Sequence, residues 1–304
     1  MSSVFDPLAA SRSLGEILAL ASGLVWAVAV VLFRVSGRRI HPVGLNLAKN
    51  VLALAMIVPG LLILDETLAP AVPAETTGLL LLSGILGIAV SDTLFFHALN
   101  RLGASLVAIV DCFYSPFVIG LSFLILGERL TAWQLVGAAL VVSAVLTISR
   151  EKTDEKLDGK NLAAGILYGI LAMFTVASSI VIAKPVLGQV SVFWATLVRL
   201  AGGSAALLVL VPFLKNRRAI LAPLLERRNW KALIPASFFG ALALVLWMGG
   251  MKYAKASVVA VLSQLNMIFI VIIAAVFLKE RLTGWKIVAV VLAFVGAYLT
   301  SIPF

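Results

Sequence analysis

The chain has 304 residues, 62% of them hydrophobic and 12% charged, with a formal net charge of +10. A soluble domain keeps about a quarter of its residues charged to cover its exterior, so this composition excludes a water-soluble fold and turns the exterior toward lipid. The basic excess does not indicate nucleic acid, because Lys and Arg sit in short connections between apolar runs, as in loops beside anionic lipid. The single cysteine, Cys112, lies inside an apolar run and excludes an internal disulfide or a cysteine metal cluster.

Residues 1–13 hold one Arg and one Asp and make no basic leader, and the apolar run from Leu14 is too long for a signal segment. It reads as the first spanning helix. A membrane crossing needs about 20 apolar residues, and ten such runs follow in order: 14–34, 42–64, 76–98, 103–126, 131–149, 161–184, 191–214, 231–253, 256–278 and 283–302. The expected fold is therefore all-α and integral to the membrane, with ten transmembrane helices. Connections are short, the longest being 65–75, 150–160 and 215–230.

Polar residues inside these runs are candidates for function, because a charge in hydrocarbon is costly. The second run places Asn46, Lys49 and Asn50 on one helical face by i, i+3, i+4 spacing. Lys49 lies about 10 Å inside at 1.5 Å per residue, deeper than a snorkelling end residue needs. The third run carries Ser91, Asp92 and, near its end, His97; the fourth carries Asp111 with Tyr114 and Ser115, then Pro116, which can break the helix. The sixth run shows Thr175, Ser178 and Ser179, and the seventh Thr196, Arg199 and Gly203. The ninth shows Ser263, Gln264, Asn266 and Met267.

Each pattern has a plain structural alternative. Lys49 and Arg199, approaching from opposite sides, could clamp a carboxylate or phosphate, with Arg as a fork and Lys as a point charge. They could equally pair with an acid or a backbone carbonyl. Asp92 and Asp111 lie near the depth of Lys49; one can neutralise it, and an unpaired one could carry a proton. The hydroxyl and amide groups of the sixth and ninth runs can wall a wet cavity or glue helices together. Trp26, Trp194 and Trp247 read as packed or lipid-facing bulk, or as an aromatic wall. Small-residue spacings (Ala19-x3-Gly23, Gly165-x3-Gly169, and Ala289, Ala293, Ala297) allow close helix contact within the chain or in a dimer.

An internal repeat is legible. Residues 128–133 read Glu-Arg-Leu-Thr-Ala-Trp and 280–285 read Glu-Arg-Leu-Thr-Gly-Trp, at an offset of 152 that also carries Ala104-Ser105 onto Ala256-Ser257. Asp92 and Asp111 map onto Leu244 and Ser263, so the acids occur in one half only. Thr131 and Thr283 have the chemistry of helix N-caps, with Gln134 completing a capping box. Trp133 and Trp285 suit a membrane interface. Glu128 and Glu280 read as parts of polar turns that stop two helices, with a direct role in transport as the alternative. The expected units are a first five-helix repeat over 1–150, a cytoplasmic connecting loop over 151–160, and a second repeat over 161–304. Five is odd, so the halves are expected to be inverted, as in many secondary transporters.

These two copies, Gly-Glu-Arg-Leu-Thr-Ala-Trp at 127–133 and Lys-Glu-Arg-Leu-Thr-Gly-Trp at 279–285, resemble the EamA-like proteins of the drug/metabolite transporter superfamily, over nearly the whole chain. The resemblance implies alternating access without ATP and, often, export of amino acids or related metabolites. Lys and Arg number sixteen in the connections after the odd-numbered runs and five on the opposite side. That bias places loop 7–8, with Lys215, Arg217, Arg218, Arg227 and Arg228, in the cytoplasm and both termini outside, in a cell (inner) membrane.

The expected function is a secondary carrier, an exporter, of a small organic metabolite such as an amino acid or carboxylate. The expected substrate-binding residues are Asn46, Lys49, Asn50, Asp92, Asp111, Tyr114, Ser178, Arg199, Ser263 and Asn266. A flippase of lipid or lipid-linked sugar is the alternative, and an intramembrane enzyme using Asp92 and Asp111 a remote one. No nucleotide-binding loop and no zinc motif is present, so no cofactor or metal is expected. The expected partners are a small-molecule substrate, membrane lipid and a coupling proton, with no nucleic acid, in a monomer or homodimer.

Overall fold

The computed structural model describes residues 7–63, 67, 70–126, 131–149, 159–254, 259, 262–263 and 265–300. Hydrocarbon offers the backbone no hydrogen-bond partners, so each apolar run must close its own bonds as a helix. The first two runs form α1 (Pro7–Gly37) and α2 (Pro42–Ile63). The third forms α3 (Ala74–Gly84), a π-helical stretch (Ile85–Ser91) and α4 (Asp92–Leu102) without interruption. The fourth begins as α5 (Ala104–Val110), tightens to a 3-10 turn over Asp111–Phe113, and continues as α6 (Tyr114–Leu126). That turn lies where Pro116 would be expected to disturb the ladder, since its ring crowds the carbonyl of Cys112 four residues back. α7 (Ala132–Ser149) completes the first half.

The second half runs through α8 (Gly159–Leu187), α9 (Val192–Leu210), a short α10 (Arg217–Leu221) in the connection, and α11 (Arg227–Tyr253). It ends with α12 (Asn266–Phe277) and α13 (Gly284–Thr300). Seven helical stretches are long and apolar enough to cross a membrane, and three shorter apolar helices fall in the fifth, ninth and tenth runs. Among the described residues there is no strand. The protein is thus an all-helical, multi-pass membrane protein. The first motif copy at Glu128, the connection 151–158, Ala256-Ser257 and Gln264 lie outside the described residues.

Contacts between the halves are reciprocal. α1 packs along α11, and α8 packs along α4. α2 meets α11 as α9 meets α3, and α12 meets α1 as α6 meets α8. α2 with α9, α5 with α12, and α7 with α13 pair runs equivalent by sequence offset. Small residues make these contacts close. A Cβ added at Gly296 would come within 2.7 Å of the Gly137 carbonyl oxygen, and Ala289, Ala293 and Ala297 on the same helix are fully buried. Gly165 and Gly169 seat Leu102 and Val110 the same way, so these spacings serve contacts within the chain.

The expected caps form. Thr131 N–H donates to Gln134 Oε1 at 2.9 Å and Gln134 N–H to Thr131 Oγ1 at 3.2 Å, a closed capping box. Lys286 N–H donates to Thr283 Oγ1. Trp133 and Trp285 are both more than half exposed on the outer surface, where an indole ring favours the membrane interface.

Candidate functional site

A cavity of about 180 Å³ lies at the centre of the helices. It is walled by α1, α2, the π-helical stretch and α4, the Asp111–Tyr114 turn, α8, α9, α11 and the start of α12. Seven of the ten expected residues face it: Lys49, Asp92, Asp111, Tyr114, Arg199, Ser263 and Asn266. Apart from Ser22 and Ser91, the rest of the wall is apolar or aromatic, notably Trp26, Phe95 and Trp247. Trp26 and Trp247 thus belong to the aromatic wall, whereas Trp194 is buried packing.

The charges divide unequally. Lys49 Nζ lies 2.6 Å from Asp92 Oδ2, so Asp92 neutralises Lys49. Of the two alternatives for Lys49, a clamp with Arg199 or pairing with an acid, this geometry is the second. Arg199 is different: only 2% exposed, it has no carboxylate within ion-pair distance among the described residues. Its Nη2 donates to Ser179 Oγ at 3.1 Å, Nη1 reaches Met248 Sδ at 3.7 Å, and the guanidinium lies 5.8 Å from the centre of the Trp247 ring. Its Nε has no partner among the described residues. Asp111, 6% exposed, likewise has an unpartnered Oδ1. Tyr114 Oη, Ser263 Oγ and Asn266 Oδ1 are buried and unpartnered among the described residues too. Buried polar groups are normally satisfied, so these five atoms give the cavity wall hydrogen-bonding capacity that the surrounding described side chains do not use.

Local backbone explains where Arg199 sits. The π-helical stretch widens the third run and leaves carbonyls off the regular ladder, and such bulges concentrate at functional sites. Asn46 Nδ2 donates to the carbonyls of Ile88 at 2.7 Å and Ala89 at 3.3 Å, and to Thr93 Oγ1 at 3.0 Å. Ser91 Oγ ties the stretch to the Ala172 carbonyl and Ser83 Oγ ties α3 to the Ser179 carbonyl. Gly84 and Gly87 let this backbone approach α9. A Cβ at Gly84 would lie 2.1 Å from the Arg199 carbonyl oxygen, and one at Gly87 would lie 2.3 Å from Ser179 Oγ and 3.1 Å from Arg199 Nη2.

Three expected site residues are placed elsewhere. Asn46 braces the π-helical stretch rather than the cavity. Asn50 is fully buried off the cavity wall, with both amide atoms unpartnered among the described residues. Ser178 turns away and bonds back to the Phe174 carbonyl, while its neighbour Ser179 takes the inward position. The helical spacing allowed either serine; the small-residue line Gly165, Gly169, Ala172 extends to 179, not 178. Gly87 carried no signal in the sequence. His97 sits away from the cavity, stacked on Tyr168 and edge-on to His41.

A protein of Archaeoglobus fulgidus, described as an uncharacterized transporter, is 24% identical over 289 residues, covering 94% of this chain and 98% of that one. A second uncharacterized transporter from the same organism is 33% identical over 89 residues, 28% of this chain and 32% of its own. A solved crystal structure of a protein superposes with a TM-score of 0.67 at 16% identity, covering 95% of this chain and 96% of that one, which shows the shared fold. The EamA-like transporter family model matches twice, at residues 13–150 and 163–302. The chain belongs to the EamA-like transporter family.

Proposed function

We propose that the protein is a secondary carrier that exports a small carboxylate-bearing metabolite, such as an amino acid, by alternating access without ATP. One observation carries this: Arg199 is buried at the central cavity with its fork not committed to any acid. A carboxylate guest would satisfy Arg199, whose planar fork suits it. A substrate ammonium would find Asp111, and Trp247 and Trp26 would flank the apolar part of the molecule. The reciprocal packing supports ten spans in two inverted five-helix halves, over 1–150 and 161–304, that rock about this shared centre. The charge bias supports a cell-membrane protein with both termini outside.

Counterflow into vesicles containing the purified protein, against a panel of amino acids and other carboxylates, tests this reading. Accumulation of a panel member, absent from protein-free vesicles, is the expected result; no accumulation of any carboxylate would defeat it. Proton coupling through Asp111 is the second element. It would be lost if transport by the wild type were unchanged between weakly acidic and weakly alkaline media and unchanged by Asp111→Asn.

A further inference from the structure

The second copy of the repeated motif does more than end a helix. Glu280 reaches across to the other half of the chain, where its Oε1 accepts from Ala104 N–H at 2.9 Å and its Oε2 from Ser105 N–H at 3.0 Å. It thereby caps the N-terminus of α5, where free N–H groups and the helix dipole favour an anion. On the other side of the same junction, Arg34 Nη1 donates to the carbonyls of Leu99 and Asn100, each at 2.9 Å, at the C-terminus of α4. A cation on a helix C-terminus is the matching favourable charge. Between the two caps lies a single connecting residue, Gly103, with φ +85 and ψ 174. That backbone region is open to glycine alone, and a Cβ there would sit 2.9 Å from Glu280 Oε1.

The arrangement recurs in part at the opposite junction: Lys184, in the helix equivalent to α1, donates to the carbonyls of Met251 and Ala254 at the end of α11. Along α4 and α5, apolar residues run from the junction toward the cavity-lining Phe95 and Asp111. Phe96, Leu99, Leu102, Leu106 and Val107 are all less than 5% exposed, and none of them borders the cavity. These buried apolar side chains separate the cavity from the junction.

We propose that Glu280 is a gating residue of the transport cycle: with Arg34 it latches the third-to-fourth span junction, holding this face shut, and it must release for the face to open. The proposal rests on the alternating-access reading but on no particular substrate. Two charge-assisted bonds to backbone N–H groups are strong enough to hold a state and weak enough to break in turnover.

The test uses the full chain with Cys112→Ala and Ser22→Cys, which puts one thiol on the cavity wall, and a membrane-impermeant maleimide applied from each face. With the latch intact, labelling from the latch face is slow. Glu280→Ala raises it by about tenfold or more, in line with losing two charge-assisted bonds, and Glu280→Asp restores part of the block. Labelling from the latch face that is unchanged by Glu280→Ala would overturn the proposal. A second measurement guards against a misfolded variant. In Ser105→Cys/Glu280→Cys with Cys112→Ala and Ser22→Cys retained as the free reporter thiol, a short reducible cross-link between positions 105 and 280 should keep labelling from the latch face slow until it is reduced. A cross-linked protein that still opens that face would show a static cap instead. Because labelling needs no substrate, this outcome is separate from the fate of the carboxylate reading, which counterflow decides.

Discussion

Lys49 on α2 and Arg199 on α9 occupy corresponding places in the two halves, yet they have opposite fates. Lys49 is closed off by Asp92 at 2.6 Å, whereas Arg199 is held by a serine hydroxyl, a thioether and an indole face, with no acid within ion-pair distance among the described residues. The sequence differs at the matching place: the position equivalent to Asp92 is Leu244, which also borders the cavity. A near-symmetric scaffold thus carries a neutralising acid beside the basic residue of one half and a leucine in the other.

The largest effect is expected at Arg199. Arg199→Ala should weaken apparent substrate affinity by about 100-fold or more, the range seen on truncating one side of a buried charge pair. Arg199→Lys should rescue little, because a point charge cannot supply the fork. The Lys49→Ala/Asp92→Ala double variant should stay within about tenfold of wild type, since it removes a pair already closed on itself. Ligand-induced thermal shifts against the carboxylate panel report all three. Equal losses at Arg199 and in the double variant would erase the distinction.

The next effect tests the asymmetry directly. Leu244→Asp should give Arg199 the acid it lacks and lower carboxylate affinity by about tenfold, the scale of one charge-assisted bond. A variant that binds as well as wild type would show that Leu244 does not govern the difference.

The Lys49–Asp92 pair should instead appear in stability. Either single alanine leaves a partly buried charge alone, at about 2–3 kcal/mol after allowing for partial exposure, whereas the double variant should cost less than the sum. Unfolding of the detergent-solubilised protein measures this, and additive losses would mean that the pair is not coupled.

Smaller effects separate bracing from binding. Gly87→Ala would push on Ser179 and the Arg199 fork, so affinity should fall about fivefold through lost positioning. Asn46→Ala frees the carbonyls of Ile88 and Ala89 and should lower stability by about 1–2 kcal/mol, with little change in affinity. A thermal-shift titration of both variants checks the split; an affinity loss larger for Asn46→Ala than for Gly87→Ala would reverse it.

Much of this was legible in the sequence because hydrocarbon imposes simple rules. Apolar run length placed the helices, and a lone Lys or Arg inside a run announced the cavity. The Thr131–Gln134 box and the outward Trp133 and Trp285 followed from local chemistry. What was not legible depended on rotation and on partners far along the chain. Helical spacing could not choose Ser179 over Ser178, nor could it say which acid would reach Lys49. The π-helical stretch has no sequence signature of its own, so Asn46 looked like a binding residue when its work is to satisfy displaced carbonyls. Glu280 read as a turn residue because its two partners lie 175 and 176 positions away.

The most direct test compares metabolites released by cells producing wild type, Arg199→Ala and Lys49→Ala/Asp92→Ala. The expected result is a carboxylate-bearing metabolite that is enriched in the medium by wild type, lost with Arg199→Ala, and still enriched with the double variant. Enrichment that survives Arg199→Ala would contradict it.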